Sequence, residues 1–275
     1  MKIKFIAVLA AALVLAGACN KGAAENAGSR SNAPYTIEVG GSTSVTPLME
    51  LFAEEYQKLN PHIKVNINGT GSGDGINNTG KLYQIGMSSR ELTPAEQGMG
   101  LKETVVAIDG IAVIMNKNSP VSDLSIEQIR NIYTGAVTDW SQVSGGAKRG
   151  SIAVVSREEG SGTRGAFEEL VGFQGKLVRG ANESTSTGAI KAGIAQNTEA
   201  IGYISLGSVD DTIKAISVDT VAATNENVKN GSYKIARPFI VLAGNNIHNE
   251  SAKFIDWMLS AEGQAIVSRS WITVK

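Results

Sequence analysis

The sequence predicts an α/β protein in which strands alternate with helices. Three observations carry this. First, three separate segments read strand, then Gly/Ser/Thr loop, then helix. They are residues 37–52 (IEVGGSTSVTPLMELF), 65–76 (VNINGTGSGDGI) and 152–170 (IAVVSREEGSGTRGAFEEL). Second, apolar residues recur at helical spacing elsewhere, as at Leu48, Leu51, Phe52, Tyr56 and Leu59. Third, two long apolar stretches, 104–115 (TVVAIDGIAVIM) and 235–243 (IARPFIVLA), read as strands. The length of the first suggests a strand that leaves one domain and enters another.

Each element has a local reason. Pro47 suits the first helical position, where its missing N–H costs nothing. Residues 64–67 alternate as a strand does. Ser125 can cap a helix carrying Ile126, Ile129 and Ile132, which Gly135 stops. Residues 186–195 read as a short helix and 200–205 (AIGYIS) as a buried strand. Residues 251–268 read as one amphipathic helix through Phe254, Ile255, Met258, Leu259 and Ile266. The alternation argues for largely parallel sheets. No internal repeat is visible.

The start of the chain reads as an export signal. Lys2 and Lys4 precede an apolar run at 5–16, and Ala16-Gly17-Ala18 is a small-residue cleavage signature, so 1–18 is expected to be a signal peptide. The run falls short of the roughly 20 residues that span a membrane, and no later stretch approaches that length. Cys19 is the only cysteine. Its position resembles that of the lipidated cysteine of bacterial lipoproteins, although Leu15 sits one residue further back than the usual lipobox has it. Ordinary cleavage after Ala18 is the alternative. Residues 19–34 are small and polar and read as a flexible tether.

With Lys2 and Lys4 removed from the 25 basic residues, and all 26 acidic ones kept, the exported chain is about three charges negative. That leaves no electrostatic footprint for nucleic acid. A lone cysteine excludes an internal disulfide framework and a cysteine-based zinc site. The chain left after the signal is long enough for two small α/β domains or one large one.

The chemistry concentrates in the three loops. The first N–H groups of a helix lack internal partners and sit at its positive end, so such loops bind anions. Each loop alone could be only a turn with a capping Ser or Thr. The third also has Arg157 at a strand end before Ser161-Gly162-Thr163, where a guanidinium can meet an oxyanion in bidentate fashion. The alternative for Arg157 is a salt bridge to Glu158 or Glu159. Arg164, on the helix after the loop, is expected to lie outside the site. His62 and His248 read as exposed loop residues. No G-x-S-x-G elbow and no H-E-x-x-H spacing occur, and Leu82 breaks the P-loop imitation GINNTGK at 75–81. No catalytic residue, metal ligand or cofactor is expected.

These residues resemble the periplasmic phosphate-binding protein of bacterial ABC phosphate-uptake systems. The resemblance runs from residue 35 to the C-terminus. It is carried by GGSTSVTPL (40–48), GTGSGDG (69–75), IGMSSREL (85–92), LSIEQIRNIYTGAVTDW (124–140), REEGSGTR (157–164), AIGYISLG (200–207) and SAEGQ (260–264). It implies a two-domain periplasmic-binding-protein fold of the type II, flytrap kind, with two crossover strands. Residues 35–110 plus 238–275 would form one domain and 111–237 the other. It implies phosphate contacts at Thr43, Ser44, Ser72, Ser89, Arg157, Ser161, Gly162 and Thr163. The family often has an aspartate where Ser89 stands, which accepts the phosphate proton. Here either Ser89 or Asp74 would take that role. The implied protein is a monomer outside the cytoplasmic membrane, in the periplasm or on a lipid anchor at Cys19, that delivers inorganic phosphate to permease subunits. A receptor for sulfate or molybdate, a phosphohydrolase using the same loops, and a surface adhesin are the alternatives.

Overall fold

A computed structural model describes residues 33–143 and 145–275. The expected signal peptide (1–18), Cys19 and the expected tether up to Asn32 lie outside the described residues. The first half of the chain runs β1 (Tyr35–Gly41), α1 (Thr46–Leu59), β2 (Ile63–Gly69), α2 (Ser72–Asn78), β3 (Ile85–Ser88), α3 (Pro94–Gln97) and β4 (Lys102–Asn116). The middle adds β5 (Asp123–Leu124), α4 (Ile126–Tyr133), β6 (Ala153–Arg157), α5 (Gly162–Val171), β7 (Asn182–Ser184), α6 (Thr187–Gln196) and β8 (Ala200–Ser205). The rest is β9 (Ile213–Ala215), β10 (Ser217–Val218), α7 (Asn225–Lys229), β11 (Ala236–Ala243), α8 (Asn249–Met258) and α9 (Ala261–Val267).

The main sheet has the order β2-β1-β3-β11-β4-β8-β6-β7, with β9 beside β4. Its two ends are parallel, β1 with β2 and β3, and β6 with β7 and β8. Its middle is antiparallel: β11 pairs with β3 and β4, and β4 with β8. The expectation of largely parallel sheets therefore holds at the ends of the main sheet and in the small parallel pair of β5 and β10, but not in the middle of the main sheet. The middle differs because β4 carries the chain out of one half and β11 brings it back, so these neighbours must run in opposite directions.

The two largest of four hydrophobic clusters divide along these same strands. One contains Ile37, Leu48, Phe52, Ala107, Phe239 and Phe254. The other contains Ile111, Tyr133, Phe167, Tyr203 and Ile235. On β4 the division falls between Ala107 and Ile111, and along β11 between Ile235, just before its start, and Phe239. In the second core Phe167 stacks on Tyr203 at 4.1 Å and meets Tyr133 edge-on at 5.1 Å. Such aromatic pairs add specific geometry to area burial.

The local signals act as their chemistry requires. Ser125 and Gln128 form a capping box on α4. Pro47 stands in the first turn of α1. The last helix departs from expectation: it is two helices, because Ser260 ends one and caps the next by accepting from the Gly263 N–H at 3.2 Å. A Cβ on Gly263 would lie 2.4 Å from the Trp257 carbonyl, so this corner requires glycine. Of the two histidines, His62 departs from expectation, while His248 is an exposed loop residue as expected. The His62 side chain is half-buried, 3.8 Å from the Glu250 carboxylate. His248 is exposed but occupied, its ring stacked on Tyr35 at 4.1 Å and its Nδ1 accepting from the Glu250 N–H at 3.2 Å. Among the described residues, no helix is long and apolar enough to cross a membrane.

Candidate anion site

The three loops meet. In the first, residues 42–45 turn between β1 and α1, closed by Val45 and Thr46 N–H groups on the Ser42 carbonyl. In the second, Gly71 at φ 97° turns the chain from β2 into α2, while Thr70 and Gly71 N–H groups bond the Gly41 carbonyl at 2.8 Å each. A positive φ of this kind favours glycine. The third loop follows β6, and Ser161 caps α5 by accepting from the Arg164 N–H at 3.3 Å.

Hydroxyls from both halves stand in direct contact. Ser44 Oγ lies 2.7 Å from Thr163 Oγ1, and Ser42 Oγ donates to Ser89 Oγ at 2.8 Å. Ser72 Oγ lies 3.3 Å from Ser89 Oγ and accepts from the Ser89 N–H at 3.1 Å. Ser44, Ser72 and Ser89 are fully buried. Across the cleft the Gly73 N–H bonds the Gly160 carbonyl at 3.0 Å. A Cβ on Gly162 would lie 2.2 Å from Ser72 Oγ and 2.9 Å from Ser89 Oγ, so glycine is what lets the third loop touch the second. Hydroxyls can turn to donate or accept. This cluster can therefore exchange its mutual bonds for bonds to one small oxyanion.

Arg157 ends β6 and is 2% exposed. Its Nε and Nη2 donate to the two carboxylate oxygens of Glu158 at 2.8 and 2.7 Å, and more loosely to the Ser184 and Thr185 carbonyls. The salt-bridge alternative is realised on one edge of the guanidinium, while Nη1 has no protein hydrogen bond among the described residues. The Arg157 N–H donates to the Tyr203 hydroxyl at 3.2 Å, which ties the site to the aromatic core. Arg164, expected to stand outside, supports the loop. Its Nη1 donates to the Arg157 carbonyl at 3.0 Å and its Nε to Glu168 at 2.7 Å.

The structure turns Asp74 elsewhere. Hydrogen bonds from Thr70, then from Tyr83 and Asn78, hold its carboxyl below the usual carboxylate range, against the opposing effect of burial. Tyr83 reaches one oxygen at 2.9 Å and Asn78 the other at 2.7 Å. No hydrogen bond joins Asp74 to the hydroxyl cluster among the described residues.

Three residues escaped the sequence reading. Ser42 belongs to the hydroxyl cluster, and the GGSTS run gave no way to rank it against Thr43 and Ser44. Thr187, at the start of α6, brings its hydroxyl to 3.2 Å from Ser44 and 3.3 Å from Thr43. Its signal was Ser186, which caps α6 by accepting from the Ala189 N–H at 3.1 Å. Arg237, on β11, donates through Nη1 to the Ser89 carbonyl at 3.2 Å.

Two lobes joined by crossover strands, with facing anion loops, define the class of extracytoplasmic solute-binding proteins. The family model described as PBP superfamily domain matches residues 22–262. The phosphate-binding protein PstS of Borreliella burgdorferi is 30% identical over 246 residues, covering 84% of this chain and 87% of that protein. A Clostridium perfringens protein described as a phosphate ABC transporter substrate-binding protein, solved with bound phosphate, is 46% identical with a TM-score of 0.85. The match covers 88% of this chain and all (100%) of that one. An ABC-type phosphate transport receptor from Vibrio cholerae is 34% identical with a TM-score of 0.72, over 87% of this chain and 100% of that one. The chain belongs to the PBP superfamily and, within it, to the family of PstS phosphate-binding proteins. Its fold is the two-domain fold of periplasmic binding proteins, as the resemblance implies.

Proposed function

We propose that this protein captures inorganic phosphate between its two lobes and delivers it to the permease subunits of an ABC transporter. The observation that carries this reading is the convergence of three hydroxyl-bearing loops, from both lobes, beside the buried guanidinium of Arg157. The family and its phosphate-bound relative support it. The lobes are taken as residues 35–110 plus 238–275 and residues 111–237. Thr43, Ser44, Ser72, Ser89, Arg157, Ser161, Gly162 and Thr163 hold the anion, joined by Thr187. The role is capture and release, with no bond broken, and the protein works as a monomer. It resides outside the cytoplasmic membrane, held there through an acylated Cys19.

Selectivity rests on Ser89. A hydroxyl accepts the hydrogen bond from the P–OH of monohydrogen phosphate but can also turn and donate to sulfate, so discrimination is weaker than a buried carboxylate would give. Asp74 is held by three donors and takes no part. The test is calorimetric titration with phosphate, sulfate and molybdate, on the wild type and on Asp74→Asn. Phosphate should bind most tightly. The substitution should cost about 1 kcal/mol of stability from its lost hydrogen bonds, and move the phosphate-to-sulfate ratio by less than about threefold. Sulfate binding more tightly than phosphate would overturn the reading. A ratio that collapses in Asp74→Asn would return the acceptor role to Asp74.

A further inference from the structure

We propose that Arg237 is a positioning residue for anion capture, fixing Ser89 through a buried pair with Asp109 at the junction of the two lobes. This rests on the reading of Ser89 as a phosphate contact. Arg237 and Asp109 stand opposite one another in the antiparallel register of β11 and β4. They lie in the short intervals where both strands pass from one core to the other. Arg237 is 3% exposed and Asp109 1%.

One guanidinium makes every link. Its Nε and Nη2 donate to Asp109 Oδ2 at 3.2 and 3.1 Å. Its Nη1 donates to the Ser89 carbonyl at 3.2 Å. The other oxygen of Asp109 accepts from Ser205 Oγ at 2.7 Å, at the end of β8 in the second lobe. A chain of hydrogen bonds thus runs from a strand of the second lobe, through the pair, to the first-lobe turn that carries Ser89.

Ser89 is held at three points. Its N–H is fixed by Ser72, its Oγ by Ser42 and its carbonyl by Arg237. The first two ties join groups that an incoming anion would rearrange. The third does not, so it is the one that keeps the backbone of Ser89 in place as the hydroxyls turn. A buried ion pair is seldom worth more to stability than apolar residues of the same volume. Burial first, and then the like charge of Arg157, disfavour the Arg237 cation, and Asp109 offsets these costs only in part. Holding the Ser89 carbonyl is a role that an apolar pair could not fill.

The experiment is a double-mutant cycle on phosphate affinity by calorimetry, with Ser89→Ala, Arg237→Lys and the double variant. Lysine keeps the charge beside Asp109, but a point-charge ammonium cannot fork to both Asp109 and the Ser89 carbonyl. Ser89→Ala should weaken phosphate about tenfold, Arg237→Lys about three- to tenfold, and the double variant no more than about twofold beyond Ser89→Ala. Thermal unfolding of each ligand-free variant controls for folding. If Arg237→Lys does not fold, the pair Asp109→Asn with Arg237→Gln takes its place in the same cycle. Losses that multiply in full would overturn the proposal and leave Ser89 as a contact. A Ser89→Ala variant with unchanged affinity would overturn the reading of Ser89 and the proposal with it.

Discussion

Replacing Arg157 by alanine should cost phosphate binding about 2–5 kcal/mol, the range for losing one partner of a buried hydrogen-bonded charge pair. That raises Kd roughly thirtyfold to several thousandfold. The loss has two parts. The anion loses its buried cation, and Glu158, now without the two bonds at 2.8 and 2.7 Å, becomes an unpaired carboxylate beside the site. Like charges in a water-poor cleft repel strongly. The Arg157→Ala, Glu158→Gln double variant should therefore recover part of the affinity. Calorimetry on both variants is the check. A loss under about tenfold for Arg157→Ala would mean that the guanidinium only anchors Glu158 and the Ser184 carbonyl.

Gly162→Ala should be the second large effect, and it should act on closure. The added Cβ meets Ser72 Oγ at 2.2 Å and Ser72 Cβ at 2.8 Å, from the opposite lobe. Ser72 is fully buried and receives the Ser89 N–H, so it has no room to retreat. Overpacking of this kind costs about 1–3 kcal/mol. Because the clash lies between lobes, the cost falls on the closed state and appears as an affinity loss of about fivefold to 150-fold. The melting temperature of the ligand-free protein should change little, since an open cleft has no clash. A large drop in that temperature with affinity intact would place the clash within one lobe.

Much of this was legible in the sequence where the cause is local. The three loops, the Ser125 cap and Pro47 at a helix start each depend on residues within a few positions, and each formed as its chemistry required. The long apolar runs gave β4 and β11 because a strand passing between two cores is apolar over most of its length, the Asp109–Arg237 pair marking the crossing point. What was missed is non-local. Arg237 and Asp109 are 128 residues apart, and no spacing rule joins them. Thr187 lies 143 residues from the Ser44 hydroxyl that it approaches. The hydrogen bonds of Asp74 to Tyr83, nine positions on, and to Asn78 were likewise not readable from spacing. The final helix was misread because its apolar periodicity continues across the Ser260 corner, where only the backbone contact of Gly263 reveals the break. The fold was therefore more readable than the site. A fold rests on periodicity and caps, whereas a site depends on which distant loops the sheet order brings together.

The central claim is that one phosphate is held by both lobes at once, with Arg157 as its cation. A crystal structure of this protein grown with phosphate tests it most directly. The account predicts phosphate oxygens within about 3.2 Å of Ser72 or Ser89 from the first lobe and of Arg157 and Thr163 from the second, as charge-assisted hydrogen bonds require. The Ser44 to Thr163 bond should open to admit the anion. A phosphate bound on one lobe alone, or bound with no contact to the Arg157 guanidinium, would contradict it.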